Sequence, residues 1–278
     1  MQHPQSYSTG ELIQTFRHGK FLVYFLVILG VVCLGTAGFV LYLSTIAPQK
    51  NPVLFFGTSG FLLFCALCAF AASVWQKKLR RASYDVYEKG IAQVIGGQAQ
   101  YTPYAEIQDL YLFSSGQTIL SGMATNLAYR RNASEPFRWI SEHLWKFMDF
   151  QQLVRERYLR ERQPAVLDTL ASGGAVTFNY ISSGQVWRKR ISGKFLNIST
   201  QPIVLTRDAL EVQGRKIPLS SLRSVDLNAW TEKVVIKDES GNTVLSTIGL
   251  GILSLDLFLN TLSLIREQDH DMAGATPA

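Results

Sequence analysis

The sequence predicts a membrane-embedded α-helical hairpin joined to a mainly β, α+β soluble part. Three observations carry this reading. Residues 21–47 hold no charged side chain over 27 positions, and residues 53–75 hold none over 23. Basic residues gather at the outer ends of those two runs. Beyond residue 82 the apolar pattern shifts to the period of two that marks strands.

Each apolar run exceeds the roughly 20 residues a helix needs to cross a hydrocarbon layer of about 30 Å. Inside lipid every backbone polar group must be satisfied within its own segment, so both runs are helical. Pro48-Gln49-Lys50-Asn51-Pro52 leaves room only for a tight turn. Antiparallel helices over about 21–47 and 53–75 are therefore expected, within a hairpin segment 17–82. A secretory signal core spans about 7–15 apolar residues, well short of the first run. Arg17 and Lys20 precede the first helix, and Lys77, Lys78, Arg80 and Arg81 follow the second, whereas the turn holds only Lys50. Basic flanks stay on the cytoplasmic side. The chain is thus expected to be a multi-pass inner-membrane protein with both termini cytoplasmic.

Charge supports the same division. Of 27 Lys/Arg and 21 Asp/Glu, residues 1–82 hold seven and one, so the remainder of the chain is balanced. The net charge of +6 belongs to the membrane flanks, and a nucleic-acid partner is not expected. The three cysteines, Cys33, Cys65 and Cys68, all fall inside the apolar runs, consistent with a soluble part in a reducing compartment. Cys65 and Cys68 have redox-motif spacing, but no basic neighbour is there to lower a thiol pKa, and they read as small packing residues. Gly30, Gly35, Gly38, Gly57 and Gly60 are expected to mark the packed faces of the hairpin, because small residues let membrane helices approach closely.

Residues 1–16 are short and polar, and are expected to form a loose tail ending in a brief interfacial helix. Strands are expected at 84–88, 91–95, 99–102 and 108–113, with a helical turn at 103–107 and further strands near 117–122 and 125–131. A helix over 141–163 follows, ended by Pro164, with Phe147, Phe150, Val154 and Tyr158 on one face. Its Arg155, Arg157, Arg160 and Arg162, interleaved with Glu156 and Glu161, read as a solvated face with i,i+4 ion pairs. A second run of strands begins at Ala175 and closes on an amphipathic helix over 253–266. Residues 268–278 are expected to be a disordered tail.

The two β segments resemble each other. Val86-Tyr87-Glu88-Lys89-Gly90-Ile91 aligns with Val204-Leu205-Thr206-Arg207-Asp208-Ala209, and Pro103-Tyr104-Ala105-Glu106-Ile107 with Pro218-Leu219-Ser220-Ser221-Leu222. A three-residue turn difference reconciles the two offsets. The reading is two copies of one small β-domain, 83–172 and 173–267, each capped by a C-terminal helix.

About seven short strands followed by one helix is the pattern of the pleckstrin-homology superfold. With the hairpin, the stretches Val86-Tyr87-Glu88-Lys89-Gly90-Ile91, 167–178 and Ile217-Pro218-Leu219-Ser220-Ser221-Leu222 resemble bacterial membrane proteins that pair a two-helix hairpin with PH-like domains. That resemblance implies two tandem PH-like bent sheets and brings no enzymatic activity or established ligand.

Chemistry is sparse. His3, His18, His143 and His270 have no second ligand at metal spacing, and phosphate-loop, dinucleotide and nucleophile-elbow motifs are absent from the sequence. Gly249-Leu250-Gly251 reads as helix capping. No catalytic residue, cofactor or metal is expected. One cluster remains: Trp187-Arg188-Lys189-Arg190, with Lys194. It resembles the basic strand–loop–strand with which lipid-binding PH domains hold an anionic headgroup. The expected role is non-catalytic binding, as an adaptor or regulator at the membrane surface. Its partners would be the bilayer, anionic headgroups or a membrane protein. The alternative is an accessory subunit that docks through its hairpin onto a larger membrane enzyme or transporter.

Overall fold

The computed structural model describes residues 9–46, 52–113, 126–141, 143–182, 184–185, 196–228 and 233–274. Helix α1 (Phe21–Ile46) and helix α2 (Pro52–Leu79) form an antiparallel pair. At 1.5 Å per residue they run about 39 and 42 Å, longer than an apolar layer. Pro52 opens α2, where a missing N–H costs nothing. The helix continues past Trp75 to Leu79 and carries Lys77 and Lys78 in its last turn, where the helix dipole favours cations.

The packed seam differs from the expected one. A Cβ on Gly30 would stand 2.8 Å from the Phe70 ring, so this glycine is required by close approach. At Gly35, Gly38, Gly57 and Gly60 a Cβ would meet nothing within 4 Å. Those four face outward. The seam is built instead from Gly30 and Ala37 against Ser59, Ala66, Ala69 and Ser73, all buried. The Ser59 hydroxyl donates to the Ala37 carbonyl at 3.3 Å, tying the two helices. Positions 30 and 37, like 59, 66 and 73, are seven apart, the spacing that keeps one stripe facing a partner helix.

Residues before the hairpin are not a loose tail. Leu12–Arg17 is a strand, β1, antiparallel to β2 (Ser83–Tyr87), with Phe16 opposite Tyr84 and Arg17 opposite Ser83. β3 (Gly90–Ile95) and β4 (Gln98–Pro103) complete a sheet ordered β1-β2-β3-β4. A 3-10 turn, Tyr104–Glu106, leads to β5 (Asp109–Phe113), β6 (Asn126–Arg130) and β7 (Arg138–Ser141), a second antiparallel sheet. Helix α3 (Phe147–Ala171) closes the unit. The hairpin is thus an insertion between two neighbouring strands of one sheet.

Helix α3 runs through Pro164 instead of stopping there. Proline removes the N–H that would bond the carbonyl of Arg160, and both residues are exposed, so that carbonyl is left at the solvent-facing side of the helix, where losing the bond is cheap. The stripe Phe147, Phe150, Val154 and Tyr158 is buried as its spacing predicts, and Val166 and Leu170 extend it beyond the proline. The arginines are not a merely solvated face. Arg155 forms a two-bonded ion pair with Asp256 at 2.6 and 2.7 Å, and Arg162 donates to the Ala105 carbonyl. Among the described residues no ion pair forms within the helix.

The second unit repeats the plan. β8 (Val176–Tyr180), β9 (Gln201–Leu205), β10 (Ala209–Val212) and β11 (Arg215–Pro218) form one sheet. A 3-10 turn at Leu219–Ser221 precedes β12 (Leu222–Asn228), β13 (Lys233–Asp238) and β14 (Thr243–Ile248). Helix α4 (Leu255–Gly274) follows, so residues 268–274 continue a helix where a disordered tail was expected.

The likeness reaches single contacts. Phe16 stands edge-on to Phe150 at 5.1 Å, and Phe178 to Phe258 at 5.2 Å. Trp145 N–H donates to the Arg17 carbonyl, and Leu253 N–H to that of Asn179. Lys146 and Ser254, each just before a helix, take φ of 57° and 54°. The register corrects the sequence alignment by one residue. Val86 faces Ile91 as Leu205 faces Leu210, and all four are fully buried. A one-residue slip would turn every side chain to the opposite face. The offsets then differ by four residues, because β10–β11 is two pairs shorter than β3–β4.

The two units share one core. Every residue of β6 is buried, since unit two covers the face that α3 leaves free. Tyr111, Phe113 and Ala128 of unit one pack with Ile181 and Leu253 of unit two. The Ser254 hydroxyl donates to the Gln108 carbonyl, accepts from Leu110 N–H and meets the Tyr158 hydroxyl at 2.8 Å, which uses its full bonding capacity.

Candidate functional site at the hairpin base

The insertion point brings together several exposed basic and large apolar side chains. β1 delivers Arg17, His18, Gly19 and Lys20 to the start of α1, and α2 delivers Lys77, Lys78, Arg80 and Arg81 back to β2. The two exits are clasped. Arg80 donates to the Gly19 carbonyl at 2.5 Å through Nη1 and to Gln76 Oε1 at 3.2 Å through Nε. From the other side the β7–α3 turn closes on β1. Trp145 N–H donates to the Arg17 carbonyl at 2.9 Å, and Gly19 N–H to that of His143 at 3.4 Å. Arg17, Lys20, Lys77, Lys78 and Arg81 are exposed, while Arg80 is half-buried in the clasp.

Burial holds the His18 imidazole below its ordinary pKa of 6.5, and the charges of Arg80 and His143 act the same way, against a hydrogen bond that the ring donates to the His143 backbone carbonyl. The ring lies edge-on to Tyr84 at 6.4 Å. Burial also pushes the Tyr84 hydroxyl up to about 12.

Large apolar side chains stand among these cations. Trp145 is 68% exposed beside Gly19, and Met148 follows it on α3. Trp75 lies one turn before the end of α2, and Ile95 is 52% exposed at the tip of the β3–β4 hairpin. Between α2 and that tip runs an open groove of about 680 Å³, lined by Val74, Trp75, Leu79 and Ile95 with Lys78 and Arg81. Such mixed surfaces suit a boundary between hydrocarbon and water, where Trp and basic residues are favoured.

All six flanking basic residues picked out by the sequence meet at this base. Trp187, Arg188, Lys189, Arg190 and Lys194 lie outside the described residues. Trp145 and Ile95 escaped sequence reasoning, because a lone Trp in a turn and an aliphatic at a hairpin tip carry no periodic signal.

A second polar cluster lies between the two units. Asp109 pairs with Arg130 at 2.6 Å, their side chains 2% and 8% exposed, and its other oxygen accepts from Asn179 Nδ2 at 2.8 Å. Arg130 stacks over the Phe137 ring at 4.5 Å. Both carboxylate oxygens are engaged, so this is an inter-unit joint and offers no free base. Among the described residues, no three His, Cys, Asp or Glu side chains come together as metal ligands would. A scan of protein-family models finds none that matches the chain, and no curated protein matches it.

Proposed function

We propose that this is an integral membrane protein whose hairpin crosses the bilayer, with two PH-like units held at the cytoplasmic face as a non-catalytic binding module. One observation carries the reading. The hairpin leaves and re-enters the β body between adjacent strands, through a base ringed by exposed cations and aromatics. A body attached through two tethers at one sheet presents a fixed side to the membrane, as an adaptor at a surface requires. The positive flanks set the cytoplasmic orientation. Four strands, then three, then a helix, twice over, support the PH-like assignment.

The test uses the β body without its hairpin. Arg17 and Ser83 are paired neighbours, so a short turn joins Gly19 to Ala82 and keeps β1 in place. Co-sedimentation with vesicles containing anionic lipid, weakening as salt rises, is the expected result. Absence of binding at every salt concentration would oppose a lipid-reading role.

One finding favours a second reading, an accessory subunit docked through its hairpin. Gly35 and Gly38 on α1, and Gly57 and Gly60 on α2, are open to close approach by another helix. Co-purification of a multi-span partner, lost on replacing these four by leucine, would support it.

A further inference from the structure

We propose that the groove between α2 and the β3–β4 hairpin is a binding site for one anionic phospholipid of the cytoplasmic leaflet. This rests on the membrane-spanning reading of the hairpin and names a ligand for its base.

Three observations point to that ligand. The walls are apolar: Val74, Trp75 and Leu79 on α2 are each more than 60% exposed, and Ile95 faces them from the hairpin tip. Ile95, beside Gly96-Gly97 at the turn, joins the α2 side chains in one contiguous exposed apolar patch, the kind of surface that marks a lipid or partner site. The cations come from the last turn of α2 and the residues just after it. Lys78 and Arg81 line the groove, no acid does, and among the described residues neither has an ion-pair partner. The level is also right. Trp75 sits where the uncharged run ends, and Lys78 comes three residues later, so Val74 and Trp75 lie at acyl depth, with Lys78, Arg81 and the flanking Leu79 and Ile95 at the headgroup boundary. A soluble anion would use the cations and leave the walls bare, and an apolar helix would leave Lys78 and Arg81 unmatched. A phospholipid with net negative charge satisfies both ends.

The experiment uses the full chain in nanodiscs of mixed phosphatidylethanolamine and phosphatidylglycerol, then transfer to mild detergent and native mass spectrometry. The wild-type protein is expected to retain one phosphatidylglycerol in preference to phosphatidylethanolamine. Lys78→Gln with Arg81→Gln should lower that retention roughly 30-fold, the effect of two cations near an anionic surface. Ile95→Ser should lower it with both cations intact, which a purely electrostatic halo would not show. Equal retention by wild type and the double variant, or no preference between headgroups, would overturn the proposal. So would a protein segment or second copy held in the groove. Thermal melting of each variant within a few degrees of wild type shows that the fold is kept. Extraction of the chain from membranes by alkali would defeat the membrane-spanning reading itself. An unextractable chain that retains no lipid defeats the groove alone.

Discussion

Phe16→Ala asks whether the first residues belong to the fold. Phe16 is 2% exposed, opposite Tyr84 across the strand pair and edge-on to Phe150 of α3. Removing a buried phenylalanine ring costs about 3–5 kcal/mol, and the loss includes an aromatic pair worth about 0.5–1.5 kcal/mol. At roughly 2–4 °C per kcal/mol for a body of this size, the melting temperature should fall by about 10 °C. The assay is loss of the β circular-dichroism signal on heating the full chain in detergent, where the hairpin stays helical. Leu12→Ala on the same strand is the control. Leu12 is about half exposed, and its truncation should cost under about 1 kcal/mol. Equal melting of Phe16→Ala and wild type would mean that β1 contributes nothing, and the hairpin would then not be an insertion in a sheet.

Other perturbations read other parts. Gly30→Val drives two methyl groups into Phe70 and should weaken helix pairing by about 1–3 kcal/mol, whereas Gly35→Val should not. Disulfide trapping between cysteines placed at Ala37 and Ser59 in a cysteine-free chain reports the difference. Asp109→Ala strands a buried Arg130 and should cost about 3–5 kcal/mol; Asp109→Leu with Arg130→Met should recover most of it, as chemical denaturation would show. His18 titrates below 6.5 in the folded protein, so the unfolded chain binds more protons as pH falls. Its contribution is complete above about pH 6.5 and is lost as pH drops below that value toward the folded pKa. Melting curves between pH 7.5 and 5 should show this fall, and His18→Gln should flatten it.

Much of the fold was legible because its signals are local. The apolar runs, the strand pair around Lys89-Gly90 and the buried stripe of α3 each follow from a short window of sequence. β1 was not legible, since its partner strand lies beyond the whole hairpin and a six-residue strand of mixed polarity has little periodicity of its own. The seam was misread because glycine is the conspicuous small residue, while Ala37, Ser59, Ala66 and Ser73 carry the same steric property with less emphasis. Helix α3 passed its proline because exposure at that turn, invisible in sequence, makes the lost bond cheap. Of the candidate site, the cations were readable from charge clustering. Trp145 and Ile95 gained meaning only when the sheet brought them to the hairpin base.

The most direct test of the account is the sidedness of the hairpin turn relative to the β body. Single cysteines at Lys50 and at the exposed Lys89, each in a cysteine-free chain, would be labelled with a membrane-impermeant maleimide in sealed inner-membrane preparations. Labelling is expected at 50 from the outer side only and at 89 from the cytoplasmic side only. Labelling of both positions from one side would contradict it.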